Sequence, residues 1–429
     1  MADDVMHHLP LILRPDPSRT VVRPFSPGYP AAFARADKSR AQVIVDRVMS
    51  LDAAAVAAER REITASLDER HRDVDATLLR RFETIDGLTI DRATASRDQA
   101  LLIGAYFSEE YSFEAAALFN PSMVVHPDQN DVPDGGTRFL MSLRAIGEGH
   151  VSSVTFRTGV IGADMSVTVD KVGPTAVPPI VEHVDSDGAA GVRLRCGGSR
   201  TLSETVLFPM LPSQSRGIED VRLVRFTEED GSKLYYGTYT AFNGAEARSE
   251  LLDTDNFGGF NMRPMTGDAA AAKGIALFPR RVDGRYVALA RHDNENIWLL
   301  RSDDVLHWDG GAKLICPRYP WEFVQMGNCG SPIEIDEGWL VLTHGVGTVR
   351  NYCMGAALLD KADPSKVLAR TPRPLLEPSP DERDGYVPNV VYSCGALVLG
   401  RTLILPYGVA DDFATVATAD VGAVLAAME

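Results

Sequence analysis

The chain has 429 residues, 45% hydrophobic and 24% charged, the profile of an ordinary soluble globular protein. Its net charge of −16, with no Lys/Arg block, excludes a nucleic-acid partner held through its phosphates. Five scattered cysteines without a C-x-x-C pair exclude a disulfide framework or a zinc site and fit a reducing cytoplasm.

Taken in chain order, MADDVMHHLPLILRPDPSR lacks a basic leader, and its apolar run is too short for a signal peptide or membrane span. From Pro30 to Phe82, Val43, Val45, Val48, Met49, Leu51, Leu67, Leu78, Leu79 and Phe82 recur at helical spacing. Ser50 or Asp52 is placed to cap a helix beginning near Ala53. The run SRDQALLIGAYFSEEYSFEAAALF predicts a further helix capped by Ser96, with Glu109, Glu110 and Glu114 on a solvated face. Residues 1–116 therefore read as a helical N-terminal extension. Its apolar stripe packs either on the rest of its own chain or on a second copy in a homo-oligomer.

After Asn120 short β-rich runs alternate with Gly, Asp, Asn and Pro, so residues 117–429 read as all-β. Five runs share one plan of turn, strand and polar end: RFLMSLRAIGEG, KLYYGTYTAFNG, GRYVALARHDNEN, GWLVLTHGVGTV and RTLILPYGVADD. The last four recur roughly every 50–60 residues, within the range of propeller blades. A propeller would gather the polar strand ends Arg144, Tyr239, His292, His344 and Asp411 into one central pocket. In SRGIEDVRLVRF, strand alternation puts Asp220 and Arg222 on one face and Val221 and Leu223 on the other. Asp411 or Asp412 is also placed to cap a final helix over FATVATADVGAVLAAM.

The stretches ALFNPSMV (Ala117–Val124), SLRAIGEGHVSSVTFRTG (Ser142–Gly159), GIEDVRLV (Gly217–Val224), KGIALFPRRVDGRYVALARHD (Lys273–Asp293), GNCGSPIEIDEGWLVLTHGV (Gly327–Val346) and LPYGVAD (Leu405–Asp411) stand in a consistent order. Together they resemble glycoside hydrolase family 130, the mannoside phosphorylases and mannosidases. The resemblance implies a five-bladed β-propeller with its site in the central channel. The helical front matches the longer members, which act on β-1,2-mannosides. The family's E-D-P-R motif is here Glu219-Asp220-Val221-Arg222, which makes Asp220 the general acid by resemblance. Family members are thought to relay its proton through a hydroxyl of the bound mannose.

An inverting hydrolase needs a second carboxylate to activate water, whereas a phosphorylase needs cations to hold phosphate against the anomeric carbon. By resemblance Lys273, in K-x-x-x-L-F-P, and His292 contact phosphate, with Arg144 and Arg157 added from the early blades. Asn120, Ser122, Tyr239 and Asp411 are the implied sugar contacts. No metal-ligand cluster, P-loop or dinucleotide fingerprint is present in the sequence, so the expected reactants are a β-mannoside oligosaccharide and inorganic phosphate, with no cofactor. Two other readings stay open: an inverting β-mannosidase whose base is Glu148 or Glu322, and a propeller that binds glycans without turnover.

Overall fold

Four helices, α1 (Arg40–Met49), α2 (Ala53–Asp68), α3 (Val74–Glu83) and α4 (Arg97–Tyr106), follow the helical pattern of the front segment. Ser39, Asp52 and Ser96 cap α1, α2 and α4, accepting from the N–H groups of Gln42, Ala55 and Gln99. Gln99 returns a bond to complete a capping box at α4. Val45, Val48, Val56, Phe82 and Ile103 form one buried cluster, while Leu51 is exposed.

In the computed structural model the chain divides into two compact units. It describes residues 5–33, 38–186, 189–380 and 383–429. The smaller unit, Pro17–Phe113 with Gly173–Pro178, holds the four helices; the larger is Met1–Asp16, Glu114–Val172 and Pro179–Glu429. No helix among the described residues is long and apolar enough to cross a membrane.

The front segment departs from the sequence expectation after Tyr106. Ser108–Ser112 is a strand paired with Thr20–Pro24, and Ala117–Val125 is a strand as well. Tyr111 and Phe113 are buried two residues apart, which suits an extended chain and not a helix. Glu109 and Glu110 pair with Arg23 and Arg70, and Glu114 is fully buried in the larger unit. The chain end also differs: Phe413–Asp420 is a strand, and only Val421–Ala426 (α5) is helical, capped by Asp420. Thr415, Val416 and Thr418 are β-branched and favour the strand.

The larger unit is mostly β. Ala117–Val125, Thr137–Ile146 and Ser152–Ile161 form an antiparallel meander, joined by one parallel pair, Gly217 with Ser152, to a second of Gly217–Thr227, Lys233–Phe242, Ala247–Thr254 and Gly259–Pro264. Three smaller sheets follow, centred on Tyr286–Ala290, Gly338–Val346 and Thr402–Val409. His7–Leu13 completes the last by pairing with Phe413–Asp420. Each of the five runs that share a plan in the sequence thus supplies an inner strand of a different meander.

Apolar clusters fill the spaces between successive meanders. Phe156 and Tyr239 lie in the first, Phe226 and Ala288 in the second, Leu289 and Val341 in the third, and Leu342 and Leu405 in the fourth. The last meander meets the first through backbone bonds from Leu118 N–H to the Asp412 carbonyl and from Met123 N–H to the Gly395 carbonyl. The ends of several of these runs, the starts of the strands that precede them and the turns beside them converge on one cavity.

Candidate active site

That cavity, of about 470 Å³, is lined by Asn120, Arg144, Glu219, Asp220, Lys273, Arg291, Arg350 and Asp411, with Tyr352 and Tyr392 among its walls. A second cavity, of about 330 Å³, is lined by residues further along several of the same strands, and its Arg280 is already paired with Glu334.

Asp220 sits where the register of Gly217–Thr227 against Lys233–Phe242 slips between Glu219 and Arg222. Simple alternation therefore breaks at this bulge, and Asp220 takes φ +54°, a conformation uncommon for a residue with a side chain. Asn120 (φ +48°) lies at a matching slip in Ala117–Val125, and Asp411 (φ +50°) in the turn after Thr402–Val409. Asn294 (φ +57°) and Arg350 (φ +55°) line the cavity as well, and left-handed residues with polar side chains gathered at one cavity are a common mark of a functional site.

Hydrogen bonds fix the acid in place. Asn120 Nδ2 donates to Asp220 Oδ1 at 2.8 Å. Arg144 Nη2 donates to Glu219 Oε1 at 2.8 Å, and its Nη1 lies 3.5 Å from Asp220 Oδ1. Arg144 Nε donates to Ser152 Oγ, which donates in turn to the Ile218 carbonyl, tying the guanidinium to the acid's own strand. Burial raises the proton affinity of Asp220, but Arg144, the Asn120 bond, Arg222 and Lys273 outweigh it and hold the carboxyl below its usual range.

A group of cations lies beside it. Arg222 is buried, donates through Nη2 to the Tyr392 hydroxyl at 2.6 Å, and leaves Nε and Nη1 without a hydrogen-bond partner. Arg291 Nε and His344 Nε2 are likewise buried and partnerless. His344 is kept well below its usual proton affinity by burial and then by Arg291 and Arg222, so its ring is neutral. Two glycines make room for this packing. A Cβ on Gly327 would lie 2.5 Å from His344 and 2.6 Å from Arg291, and one on Gly274, at φ +104°, 2.5 Å from Arg291.

Asp411 behaves differently from Asp220. Burial first, then the opposing influences of Arg144 and Asp220, leave its carboxyl pushed up from 3.8 to about 6. The folded residue thus keeps its proton to about pH 6, while the unfolded one releases it near 3.8. Stability is lost as pH rises through that window, and the loss is complete above it. Asp411→Asn, which tolerates the left-handed backbone, is expected to stabilise the fold at pH 7–8 by on the order of 2–3 kcal/mol. Below about pH 4 the two proteins should have equal denaturation midpoints.

Of the nine residues expected from sequence, Asn120, Arg144, Asp220, Lys273 and Asp411 line this cavity. The other four do not. Arg157 is buried, and its Nη2 donates to both carboxylate oxygens of Glu114 at 3.0 Å, so that charge is committed inside the fold. His292 packs on Trp298 with ring centroids 4.5 Å apart. The Ser122 hydroxyl accepts from Leu223 N–H at 3.0 Å and so braces the acid's strand from behind. Tyr239 donates to Glu250 and accepts from Gln214 within a buried network. The proposed hydrolytic bases are also elsewhere: neither Glu148 nor Glu322 lines the cavity, and Glu322 is buried against Arg370.

Sequence reasoning named His344 only as a strand end and missed Arg291, Arg350, Tyr392 and the role of Arg222. Arg291 precedes His292 directly. Both lie in the turn just after the strand Tyr286–Ala290, where the sequence offers no rule for which of two neighbours faces the cavity.

A half-buried carboxyl beside cations that keep unpaired donor nitrogens can deliver a proton to a leaving oxygen while an oxyanion is held against the carbon being released. This is the equipment of a carbohydrate-active enzyme. Residues 198–429 match the family model described as beta-1,4-mannooligosaccharide phosphorylase, and the chain belongs to glycoside hydrolase family 130. It is 36% identical over 215 residues to a 1,2-beta-oligomannan phosphorylase of Thermoanaerobacter sp. strain X514, covering 49% of this chain and 70% of that one. It is 36% identical over 231 residues to a beta-1,2-mannobiose phosphorylase of Listeria innocua, covering 51% and 62%. The solved Listeria innocua beta-1,2-mannobiose phosphorylase, in complex with beta-1,2-mannobiose, superimposes with a TM-score of 0.50 at 24% identity, over 74% of this chain and 92% of that one.

Proposed function

We propose that this protein is an inverting phosphorylase that cleaves β-1,2-linked manno-oligosaccharides with inorganic phosphate, giving α-mannose 1-phosphate and a shortened sugar. The observation that carries this reading is the pair of buried guanidiniums, Arg222 and Arg291, which leave donor nitrogens without partners at the cavity of Asp220, with the unpaired Nε2 of His344 beside them. Buried donors without partners are costly and call for an acceptor, and a phosphate dianion is the acceptor this chemistry uses. The two β-1,2-mannoside phosphorylases similar to this chain point to the same linkage.

In this reading Asp220 supplies the proton, directly or through a mannose hydroxyl. The bond from the anomeric carbon to the glycosidic oxygen breaks with its electron pair on oxygen, which takes that proton. A phosphate oxygen bonds to the anomeric carbon from the other face, and the proton of the hydrogen phosphate restores Asp220. Lys273 and Arg291 hold the anion from the cavity wall, with Arg222 and the neutral His344 behind. Asn120 and Asp411 face the sugar, and Arg144 positions the acid. The five meanders are read as blades of a propeller around this cavity, supported by the clusters between neighbours and the bonds joining last to first. Free thiols at all five cysteines support a reducing, cytoplasmic setting.

Incubation with β-1,2-mannobiose should release mannose and mannose 1-phosphate only when inorganic phosphate is present. Equal sugar release without phosphate would remove the phosphorylase reading in favour of hydrolysis.

A further inference from the structure

Asp220 must hold a proton to act as an acid, yet Arg144, the Asn120 bond, Arg222 and Lys273 favour its ionised form. The groups responsible divide into two sets. Arg144 is already engaged by Glu219 at 2.8 Å, and Asn120 is neutral. Arg222 and Lys273 are the remaining cations acting on Asp220. They belong to the phosphate socket: Lys273 lines the cavity with Arg291, and Arg222 lies behind it with two donor nitrogens unused. The other titratable groups facing Asp220 are Asp411 from the turn after Thr402–Val409, and Tyr392 and Cys394 from the segment beside it. Burial pushes both the Cys394 thiol and the Tyr392 phenol up, so both stay neutral.

We propose that the phosphate socket and the acid are one electrostatic unit: an oxyanion held by Lys273, Arg291 and Arg222 is bound together with a proton on Asp220, so the co-substrate loads the acid that it needs. This rests on the phosphate reading of the socket. The physical basis is that the incoming dianion cancels the cations that stabilise the carboxylate and adds like charge beside it. Both changes favour the neutral acid. A site loaded in this way holds Asp220 ionised, and unable to donate, until phosphate arrives, which guards the sugar against protonation without a nucleophile in place. Asp411 faces the same arginine and is the competing proton acceptor.

Sulfate tests the idea because it remains a dianion throughout the useful pH range. Its binding should be measured by titration calorimetry between pH 6 and 8, in buffers of different ionisation enthalpy. The expected result is net proton uptake of up to one proton per sulfate, with affinity that strengthens as pH falls, approaching about tenfold per pH unit at full uptake. Uptake should disappear in Asp220→Asn and persist in Asp411→Asn. Sulfate binding with no proton uptake by the parent protein would overturn the coupling and leave the phosphate socket standing. Uptake that survives in Asp220→Asn and disappears in Asp411→Asn would move the proton to Asp411 and equally overturn it. Failure of both sulfate and phosphate to bind would overturn the socket itself.

Discussion

Asp220→Asn is expected to lower the rate of mannose 1-phosphate formation by about 10²–10⁴-fold, the usual worth of a positioned proton donor. The substitution is close to isosteric, and Asn accepts the φ of +54° better than most residues, so the bulge should persist. Arg144 keeps its bond to Glu219, and the cations of the socket keep their positions. Initial rates at saturating mannobiose and phosphate, beside a thermal denaturation curve, separate loss of chemistry from loss of fold. An aryl β-mannoside, whose leaving group needs little protonation, should recover much of the lost rate. A variant as active as the parent would mean that another group lining the cavity, such as Asp411, supplies the proton.

Lys273→Met should act on phosphate and not on the sugar. Lys273 is half-buried on the segment between the short turn Asp268–Ala271 and the strand Ala276–Leu277, so the change keeps the apolar stem and removes only the charge. A charge-assisted hydrogen bond is worth about 1.5–3 kcal/mol, so KM for phosphate should rise by about 10–100-fold. KM for mannobiose should change little. A fall in rate that saturating phosphate cannot repair, with KM for phosphate unchanged, would place Lys273 outside the anion site.

Several properties were legible from the order of residues alone. Ser96 and Gln99 cap a helix by local bonds, and each of the five strand runs carries its own pattern of apolar and turn residues. Propensity and capping act over a few residues and need no tertiary partner. The motif around Asp220 was legible in the same way, as a string.

What a side chain faces was a different matter. The bulge that turns Asp220 into the cavity exists only against the neighbouring strand, so alternation within GIEDVRLV could not reveal it. Arg157 lies within the strand Ser152–Ile161 and Arg291 directly after Tyr286–Ala290. One is cancelled by Glu114, which is 43 positions away in sequence, and the other packs against His344 through the gaps left by two glycines. Burial pushes the Asp411 carboxyl up, whereas at Asp220 the surrounding cations and the Asn120 bond outweigh burial and hold the carboxyl down. Sequence by itself determined most of the elements, though not the two strands directly after Tyr106 or the strand Phe413–Asp420, and the kind of chemistry available. Tertiary structure decided which charges remain unpaired for a ligand, because pairing depends on distances through space that chain order does not contain.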